Sequence, residues 1–392
     1  MPDYDAFLLV SFGGPEGPDD VLPFLRNITR GRGIPEERLE AVAEHYYAVG
    51  GVSPINQQCR DLITALRTEF GAAGLDLPIY WGNRNWDPYL TNTVATMAAD
   101  GVRHALAFAT SAYSAFSSCR QYLDDIGRAR EQAGPGAPHI DKIRRYFNHP
   151  GFVEPFAENT RAALATLPPD VRDGAHLVFT AHSVPLAMAA HSGPPGNGAP
   201  GPGGRYAAEL VETASLIAER TYGGVHPWDL VYQSRSGPPS QPWLEPDVLD
   251  YLGELAKAGA PAAVIVPVGF VSDHMEVRHD LDSEAVETAA ALGLPVARAA
   301  TPWYHPQFHA MVVDLVRERL GPADAPRAAL GRLGPSTDIC PPGCCAFARA
   351  AGARPEARPE GARPEGAPLE GARQGAQPQG AQRATAGGAG EA

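Results

Sequence analysis

Residues 176–185 read HLVFTAHSVP, a short apolar stretch that ends in small and polar side chains. Its β-branched and aromatic residues predict a buried strand, and the polar residues mark the point where that strand ends. Residues 104–114, HALAFATSAYS, repeat the same design in the first half of the chain. One strand that ends in a Thr/Ser-rich turn in each half predicts two similar Rossmann-like domains that face a cleft.

Strand-like and helical segments alternate on both sides of these two stretches. Further short apolar runs are AFLLVSF at 6–12, PIYWGN at 78–83, WDLVYQS at 228–234, AAVIVPV at 262–268 and LPVARAA at 294–300. Segments with helical periodicity lie between them, at residues 36–49, 55–70, 151–167, 206–222 and 283–292. Pro155 obscures the start of the third, because proline is tolerated only in the first turn. The alternation predicts an α/β fold in which helices flank parallel sheets.

The pattern divides the chain into four parts. Residues 1–148 and 149–322 are predicted to form the two Rossmann-like domains, and residues 323–350 a C-terminal extension with a cysteine cluster. Residues 351–392 consist of a degenerate GARPE-type repeat with almost no large apolar side chains, so they are predicted to be a disordered low-complexity tail. The glycine- and proline-rich residues 193–204 are predicted to form a flexible loop.

Composition places the chain among ordinary globular proteins. Of its 392 residues, 44% are hydrophobic and 20% are charged, and no apolar run approaches the roughly 20 residues that span a bilayer. The acidic N-terminus lacks the basic segment and cleavage site of a signal peptide, so we expect a cytoplasmic protein without a transmembrane segment. The net charge of −13 argues against nucleic acid as a partner and is compatible with a cationic substrate such as a metal ion.

A histidine stands at the end of the strand predicted within residues 176–185. Ligands of open α/β sheets bind beyond the carboxyl ends of the strands, so His182 is expected to emerge into the cleft. An imidazole exchanges protons near neutral pH. This position makes a catalytic role for His182 as plausible as a structural one.

An acidic stripe is predicted in VGFVSDHMEVRHDLDSEA, residues 268–285. Glu276, Asp280 and Glu284 recur every four residues, which places them on one face of a helix that begins after Gly269. Like charges at this spacing repel unless cations compensate, and carboxylates suit divalent metal ions. The sequence therefore indicates either a path for a divalent metal or a solvated acidic face.

The N-terminal stretch LLVSFGGPEGPDDVLPFLRNITRGRG, residues 8–33, predicts a strand, a glycine turn and a helix capped by Asp19 and Asp20. The two adjacent glycines complete no dinucleotide- or phosphate-binding motif. The arginines that follow, among them Arg30, suit carboxylate binding, because a guanidinium donates two parallel hydrogen bonds. A solvated basic face is the simpler interpretation of these arginines alone.

Three of the five cysteines, Cys340, Cys344 and Cys345, cluster in the motif CPPGCC. Clustered thiols in a cytosolic protein are more often metal ligands than disulfide partners. Thiolates at this spacing in a Pro/Gly loop can bind one soft metal ion or an iron–sulfur cluster. Since only three ligands are local, a fourth must come from elsewhere in the chain.

Together these segments resemble the ferrochelatases, in particular the actinobacterial type that acts on coproporphyrin. The matching stretches follow the family's order from residue 6 to about 320 and are LLVSFGGPEGPDDVLPFLRNITRGRG, EHYYAVGGVSPINQQ, YWGNRNWDPYL, FATSAYSAFSSCRQY, FTAHSVP, YQSRSGPPSQPWLEPDV and VGFVSDHMEVRHDLD. The resemblance covers the whole predicted folded part. It implies a lyase that clamps a porphyrin between two Rossmann-like domains and inserts ferrous iron, giving Fe-coproporphyrin III in haem biosynthesis.

The resemblance also implies which residues handle the metal. His182 and Glu276 flank the centre of the porphyrin from one side, and Asp280 and Glu284 belong to an acidic ridge that leads metal to them. Insertion of Fe²⁺ releases two pyrrole protons, and a neutral imidazole can accept one while a carboxylate holds the metal or takes the other. The order of the two proton transfers stays open.

Three further residues are implied in binding the porphyrin. Ser53 in GGVSPIN and Tyr122 in SSCRQY match positions that contact the tetrapyrrole, and Arg30 lies nearby for its propionates. The implied partners are thus the porphyrin and ferrous iron, and the resemblance allows transient contacts with other enzymes of haem biosynthesis.

Two positions depart from the family's pattern. Phe12 stands where some members have an axial tyrosine, so product iron is expected to rely on His182 or water. Ser192 stands where clustered actinobacterial members have a fourth cysteine, with His191 beside it. The family places Cys119 near the tetrapyrrole, which makes it a poor substitute. We expect either a labile 2Fe–2S cluster completed by His191 or Ser192, or no cluster.

Three alternatives stay open. A protoporphyrin IX ferrochelatase is the nearest, although the first fifty residues lack the apolar lip common in members that dock on membranes. A cobalt or nickel chelatase of the same fold is usually shorter. A non-catalytic haem- or iron–sulfur-binding regulatory protein is disfavoured because His182 and Glu276 are both present.

Overall fold

The computed structural model describes residues 3–31, 33–195, 201, 203–237 and 240–346. The predicted tail at residues 351–392 lies outside the described residues, as does part of the glycine-rich loop at 193–204. All described residues belong to one unit, Met1–Arg354.

Parallel strands form two four-stranded sheets in the described part of the chain. The first sheet contains β1 (Ala6–Ser11), β2 (Ile79–Asn83), β3 (His104–Ala109) and β4 (His139–Lys142) in the order β2-β1-β3-β4. The second contains β5 (His176–His182), β6 (Trp228–Gln233), β7 (Ala263–Val266) and β8 (Val296–Arg298) in the order β6-β5-β7-β8. Because the two sheets share one strand order, the predicted α/β fold with two similar Rossmann-like halves is confirmed.

The sequence prediction missed strand β4. This strand reads HIDK and lies at the edge of the first sheet. Its side chains alternate between exposed or half-buried and buried positions, so it lacks the continuous apolar run of the central strands. A four-residue edge strand of this composition carries too weak a pattern for detection from sequence.

Five α-helices lie in the first half of the described chain. They are α1 (Pro18–Ile28), α2 (Glu36–Tyr47), α3 (Ile55–Ala73), α4 (Leu90–Ala99) and α5 (Gln121–Ala133), and a π-helical turn, Phe116–Arg120, precedes α5. The predicted aspartate cap of α1 is wrong, because its N-cap is Gly17 and no side chain caps it. Asp20 instead accepts a hydrogen bond from the backbone N–H of Glu16 at 3.0 Å.

The second half of the described chain adds eight α-helices. They are α6 (Pro150–Thr166), α7 (Pro169–Arg172), α8 (Leu186–Ala190), α9 (Gly204–Arg220), α10 (Val248–Lys257), α11 (Met275–Val277), α12 (Val286–Ala291) and α13 (Pro306–Leu320). Helix α6 begins at Pro150 and includes Pro155 in its interior, which settles the start that the sequence left uncertain. None of the described helices has the length and apolar character to cross a membrane.

The segment that carries the predicted acidic stripe is not a regular α-helix. Helix α11 begins at Met275, after a loop, and continues into a π-helical segment, Arg278–Ala285, before α12. Backbone hydrogen bonds in a π-helix link residues i and i+5, so the α-helical spacing of the carboxylates is not kept. A helical segment does follow Gly269, but it begins at Met275 and carries the carboxylates on α11 and a π-helix instead of a regular α-helix.

One hydrophobic cluster connects the two halves. Phe7 and Phe108 of the first sheet, Phe179 of the second and Phe308 of α13 are all fully buried in it. The rings of Phe108 and Phe308 pack edge to face with their centroids 6.3 Å apart. Each such buried aromatic side chain stabilises the fold by about 1.5–3 kcal/mol. The division predicted at residue 148 thus falls within continuous packing and stays a prediction.

Candidate active site

His182 is the last residue of β5, at the carboxyl end where the sequence analysis placed it. Its Nδ1 lies 2.5 Å from the carbonyl oxygen of Ser183. Since a carbonyl oxygen only accepts hydrogen bonds, Nδ1 carries the proton, and Nε2 of the neutral imidazole keeps a lone pair. The Tyr206 hydroxyl donates to the carbonyl oxygen of His182 at 2.9 Å and fixes the end of the strand.

Glu276 faces this lone pair from α11. Its Oε2 lies 3.7 Å from Nε2 of His182, and the two side chains are 49% and 36% exposed, respectively. This separation exceeds a hydrogen bond, so both atoms stay available to a third partner. The arrangement brings a proton acceptor and a carboxylate to one accessible point.

His274 adds an imidazole that the sequence analysis overlooked. It precedes α11, and its ring packs against Phe270 with the centroids 5.2 Å apart. Burial lowers the pKa of His274; the charge of Glu276 counteracts this and that of His182 adds to it. His274 therefore stays neutral near pH 7 while it lies close to both site residues. Its place in the motif SDHME was the signal that could have identified it.

Asp280 is half-buried and hydrogen-bonded, whereas a residue on a solvated acidic face would be exposed. The Ser234 hydroxyl donates a short hydrogen bond to its Oδ2, and the Gln233 amide donates to the same oxygen at 3.2 Å. Burial raises the pKa of Asp280 to about 6, the charges of Glu276 and Glu284 raise it as well, and the two hydrogen bonds lower it. Asp280 therefore exchanges protons near neutral pH.

Glu284 is exposed to solvent beside Asp280, and we call Glu276, Asp280 and Glu284 together the acidic region. Oε1 of Glu284 lies 3.5 Å from Nε2 of His279, and one ligand atom each of His279, Asp280 and Glu284 lies within 4.8 Å of the others. Asp247 and Glu284 line the same small cavity as Asp280. The structure thus brings the predicted carboxylates together, although a π-helix rather than an α-helix carries them.

Helix α2 of the first half lies against this region. The ring of His45 stacks on that of His279, with 4.1 Å between centroids and 26° between planes. Burial raises the pKa of Tyr46, and the charges of Glu276 and Asp280 raise it further. Both contacts place α2 over the acidic side of the site. No local pattern predicts these contacts, because the residues lie far apart in the chain.

Tyr122 is buried under an arginine rather than open to the cleft. Its side chain is 4% exposed, and its hydroxyl lies 3.2 Å from Oγ1 of Thr110. The Arg84 guanidinium lies over the Tyr122 ring at 5.2 Å and over the Phe12 ring at 5.6 Å. Arg84 also pairs with Asp125, at 2.5 Å between Nε and Oδ2. The sequence analysis missed Arg84, which stands in the quoted stretch YWGNRNW.

Ser53 packs against the glycine turn that follows β1, and Arg30 lies just after helix α1. Ser53 is 4% exposed, and its backbone N–H donates to the carbonyl oxygen of Pro15 at 2.8 Å. A Cβ on Gly14 would lie 2.6 Å from the Ser53 Cβ, so this close approach requires glycine. Arg30 follows α1, is half-buried and lies near enough to Tyr89 for its charge to lower the pKa of that hydroxyl against the effect of burial.

The three clustered cysteines lie together at the end of the described chain. The Cys344 and Cys345 sulfurs are 3.9 Å apart, and the thiols of Cys340 and Cys344 are in hydrogen-bonding contact. Cys345 is also bonded to the segment that follows Ser192, since the Gly193 N–H donates to its Sγ at 3.1 Å. A soft metal ion or a cluster fits this set of thiols.

The fold and the site together define a metal chelatase. The second sheet and the helical segment at residues 275–285 bring an imidazole and several carboxylates together, and oxygen and imidazole ligands suit a divalent cation. The sequence profile of the ferrochelatase family matches residues 4–320. The chain belongs to the ferrochelatase family.

Relatives with high identity span almost the whole described chain. The coproporphyrin III ferrochelatase of Streptomyces coelicolor is 56% identical, over 88% of this chain and 96% of the relative. The coproporphyrin III ferrochelatase of Nocardia farcinica is 54% identical, over 89% of this chain and 98% of the relative. A ferrochelatase of Rhodopirellula baltica is 51% identical, over 91% and 98%.

Among solved structures, SirB from Bacillus subtilis with Fe³⁺ superposes with a TM-score of 0.50. It shares 12% identity and covers 81% of this chain and 95% of SirB. At this identity the likeness shows a common fold and nothing about the substrate.

Proposed function

We propose that the protein inserts Fe²⁺ into coproporphyrin III to give Fe-coproporphyrin III in haem biosynthesis. The observation that carries the proposal is the facing pair of His182 and Glu276, with 3.7 Å between Nε2 and Oε2. Several relatives at 52–56% identity are named coproporphyrin III ferrochelatases, which supports the choice of porphyrin.

Metal insertion exchanges one Fe²⁺ for two protons on the pyrrole nitrogens. His182 accepts one proton at Nε2, because its Nδ1 already carries a proton that is bonded to Ser183. Glu276 takes the second proton or holds the metal while it loses water. The porphyrin core gives up two positive charges and receives two, so its net charge is unchanged and no counterion is needed.

The acidic region supplies the metal. Glu284 is exposed and collects cations at the surface, while Asp280 lies between it and Glu276. Asp280, with a pKa of about 6, releases its proton when a cation arrives and regains it when the cation moves on. It also offers a route by which the proton on Glu276 leaves the site.

Residues of the first half of the chain are proposed to hold the porphyrin. We assign the tetrapyrrole contacts to the surface at Ser53 and Tyr122, both only 4% exposed, where Arg84 covers the Tyr122 ring, and we assign Arg30 to the propionates. Phe12 is 37% exposed and contributes an apolar surface. Because Phe12 has no atom that binds iron, product iron relies on His182 or on water.

Cys340, Cys344 and Cys345 are proposed to hold a 2Fe–2S cluster. The Cys344 and Cys345 sulfurs are 3.9 Å apart, and the guanidinium of Arg145 lies 3.8 Å from the Cys340 sulfur, which supports a site for an anionic thiolate centre. When bound, such a cluster supplies one-electron chemistry and anchors the C-terminal segment to the fold. We assign it no step of metal insertion.

The proposed enzyme works in the cytoplasm, where the preceding and following enzymes of haem biosynthesis exchange the porphyrin with it through transient contacts. The negative net charge of the chain would favour brief contacts with basic surfaces.

The experiment is anaerobic mixing of purified protein with Fe²⁺ and coproporphyrin III, without detergent, while the free-base absorption bands are followed. We expect rapid loss of these bands, and slower loss with protoporphyrin IX, which has two propionates instead of four. A reaction without protein sets the baseline. Faster conversion of protoporphyrin IX would contradict the choice of porphyrin, and no conversion of either would favour a regulatory protein.

A further inference from the structure

We propose that Cys119 is the fourth thiolate ligand of the C-terminal metal centre. This inference rests on the cluster proposed above, and it replaces His191 or Ser192 as the completing ligand. It assigns to this chain a ligand set of Cys119, Cys340, Cys344 and Cys345, drawn from two segments far apart in the sequence.

The four thiols form one continuous chain of contacts. Cys119 lies on the π-helical turn Phe116–Arg120 and is 1% exposed, and its thiol lies near enough to that of Cys340 for Cys340 to raise the pKa of Cys119. Cys340 contacts Cys344 in turn, and the sulfurs of Cys344 and Cys345 are 3.9 Å apart. Cys344 and Cys345 are each 2% exposed. Cys119, Cys344 and Cys345 are thus nearly inaccessible to water while Cys340 is half-buried, and these four thiols are the candidate ligands of the centre.

Two buried cations face these thiols. Lys142 is 8% exposed, and the one hydrogen bond of its Nζ in the described structure goes to the carbonyl oxygen of Ile143 at 3.0 Å. Arg145 is 4% exposed, and its guanidinium lies 3.8 Å from the Cys340 sulfur while its Nε donates no hydrogen bond. Cys340 and burial raise the pKa of the Cys119 thiol well above its ordinary value, and the charges of Lys142 and Arg145 oppose this only in part.

These cations fit an anionic centre better than they fit neutral thiols. A buried cation needs a compensating charge, and among the described residues Arg145 has one carboxylate partner, Glu209, at 3.5 Å. Lys142 has no carboxylate partner among the described residues. A 2Fe–2S core with four thiolates carries a net negative charge, which would balance Lys142 and Arg145 together.

Ser192 is poorly placed to complete the centre. Its hydroxyl donates to the carbonyl oxygen of Ala189 at 2.5 Å and accepts from the backbone N–H of Tyr206 at 2.8 Å. The side chain is 4% exposed, so these bonds cannot be replaced by water if the hydroxyl turns away. A hydroxyl is in addition a harder ligand than a thiolate and suits iron–sulfur chemistry less well.

Cys59 provides a matched control for Cys119. It is likewise fully buried in the first half of the chain, but its thiol bonds with Ser11 and has no contact with the other cysteines. Burial raises the pKa of Cys59 to about 12, so it stays a neutral thiol. Removal of Cys59 perturbs packing to a similar degree without touching the proposed centre.

The test compares the metal content of four full-length proteins purified anaerobically, namely wild type, Cys119→Ala, Ser192→Ala and Cys59→Ala. We expect about two iron and two acid-labile sulfide per chain, with visible charge-transfer bands, in all except Cys119→Ala. A single zinc ion also takes four thiolates, so zinc is measured in parallel. About one zinc per chain that is lost only in Cys119→Ala would support the same four ligands with another metal.

A rescue variant separates ligation from folding. The double variant Cys119→Ala, Ser192→Cys places a thiol at the position that Cys345 approaches through Gly193. We expect it to regain the centre that Cys119→Ala alone has lost. Full metal content in Cys119→Ala, or its loss in Ser192→Ala, would overturn the role of Cys119 while leaving the proposed cluster in place. Wild type without bound metal would overturn both proposals, and neither outcome bears on iron insertion.

Discussion

The Nδ1–H of His182 donates to the carbonyl oxygen of Ser183 at 2.5 Å, and this bond determines which nitrogen of the ring is a base. With Nδ1 protonated, Nε2 holds the lone pair and points to Oε2 of Glu276, 3.7 Å away. The end of strand β5 thus sets the tautomer before any substrate arrives. The reactivity of the site follows from a backbone contact between neighbouring residues.

This tautomer is observable by ¹⁵N NMR of protein labelled on histidine. At pH 8, we expect His182 to show a protonated Nδ1 and an unprotonated Nε2, because the Ser183 carbonyl oxygen can only accept a hydrogen bond. The signals are assigned by their absence from His182→Ala. A signal pattern with the proton on Nε2 would contradict the assignment of this atom as the base.

The acidic region predicts a defect in metal supply when its outer carboxylates are neutralised. In Asp280→Asn combined with Glu284→Gln, we expect the iron concentration at half-maximal rate to rise several-fold, because the local attraction for cations is lost. The porphyrin dissociation constant should stay the same. Steady-state kinetics with varied Fe²⁺ measures the first quantity, and fluorescence titration measures the second.

Glu287→Gln is the control for this pair, since Glu287 is exposed on the adjoining helix α12. It removes one charge from the same run of residues without touching the cavity that contains Asp280. If the control raises the half-maximal iron concentration as much as the double variant, the carboxylates act only through the overall charge of the protein.

The raised pKa of Asp280 predicts a stability that depends on pH. Its folded pKa of about 6 lies above the ordinary value of 3.8, so the stability it contributes is complete below about pH 4 and is lost as the pH rises through 6. Asp280→Asn has no such loss. We therefore compare the free energy of unfolding of the variant with that of wild type at two pH values. The variant's value minus the wild-type value should be about 1–3 kcal/mol larger at pH 7.5 than at pH 4.5.

Urea denaturation at these two pH values measures that gain. Glu287→Gln, whose carboxylate is exposed, should show no comparable change between them. An equal difference between Asp280→Asn and wild type at both pH values would mean that Asp280 titrates normally in the folded protein.

Removing the Tyr122 hydroxyl should lower the stability of the protein without weakening porphyrin binding. Tyr122→Phe removes the hydroxyl near Thr110 but keeps the ring under Arg84. We expect a loss of about 1 kcal/mol in the free energy of unfolding, as for other buried hydrogen bonds, and little change in porphyrin affinity. A large rise in the porphyrin dissociation constant would instead show that the hydroxyl itself binds the substrate.

Strands and the strand-end histidine were predictable from sequence because their signals are local. The stretch HLVFTAH has an apolar, β-branched and aromatic centre and ends at a polar turn, so both β5 and the position of His182 follow from one short stretch. The edge strand β4 was not predictable, since HIDK has no such run. The π-helical segment Arg278–Ala285 was also missed, because periodicity alone favours a regular α-helix.

Contacts between distant segments were beyond the reach of the sequence. The approach of Cys119 to Cys340 depends on how the C-terminal extension packs, and spacing within CPPGCC says nothing about it. The same holds for Tyr46, which reaches the carboxylates of the opposite half only after the fold has formed. His274 differs, since it stands two residues from Glu276 and could have been identified.

The central claim is that His182 takes a porphyrin proton, and rapid mixing of His182→Ala with Fe²⁺ and bound coproporphyrin III tests it most directly. His176→Ala is the control, because His176 lies at the other end of the same strand and pairs with Asp229 at 2.9 Å. We expect the rate of iron insertion to fall by about 10²- to 10⁴-fold in His182→Ala, with porphyrin affinity kept and the control unaffected. Insertion at the wild-type rate in His182→Ala, with the porphyrin equally well bound, would contradict the account.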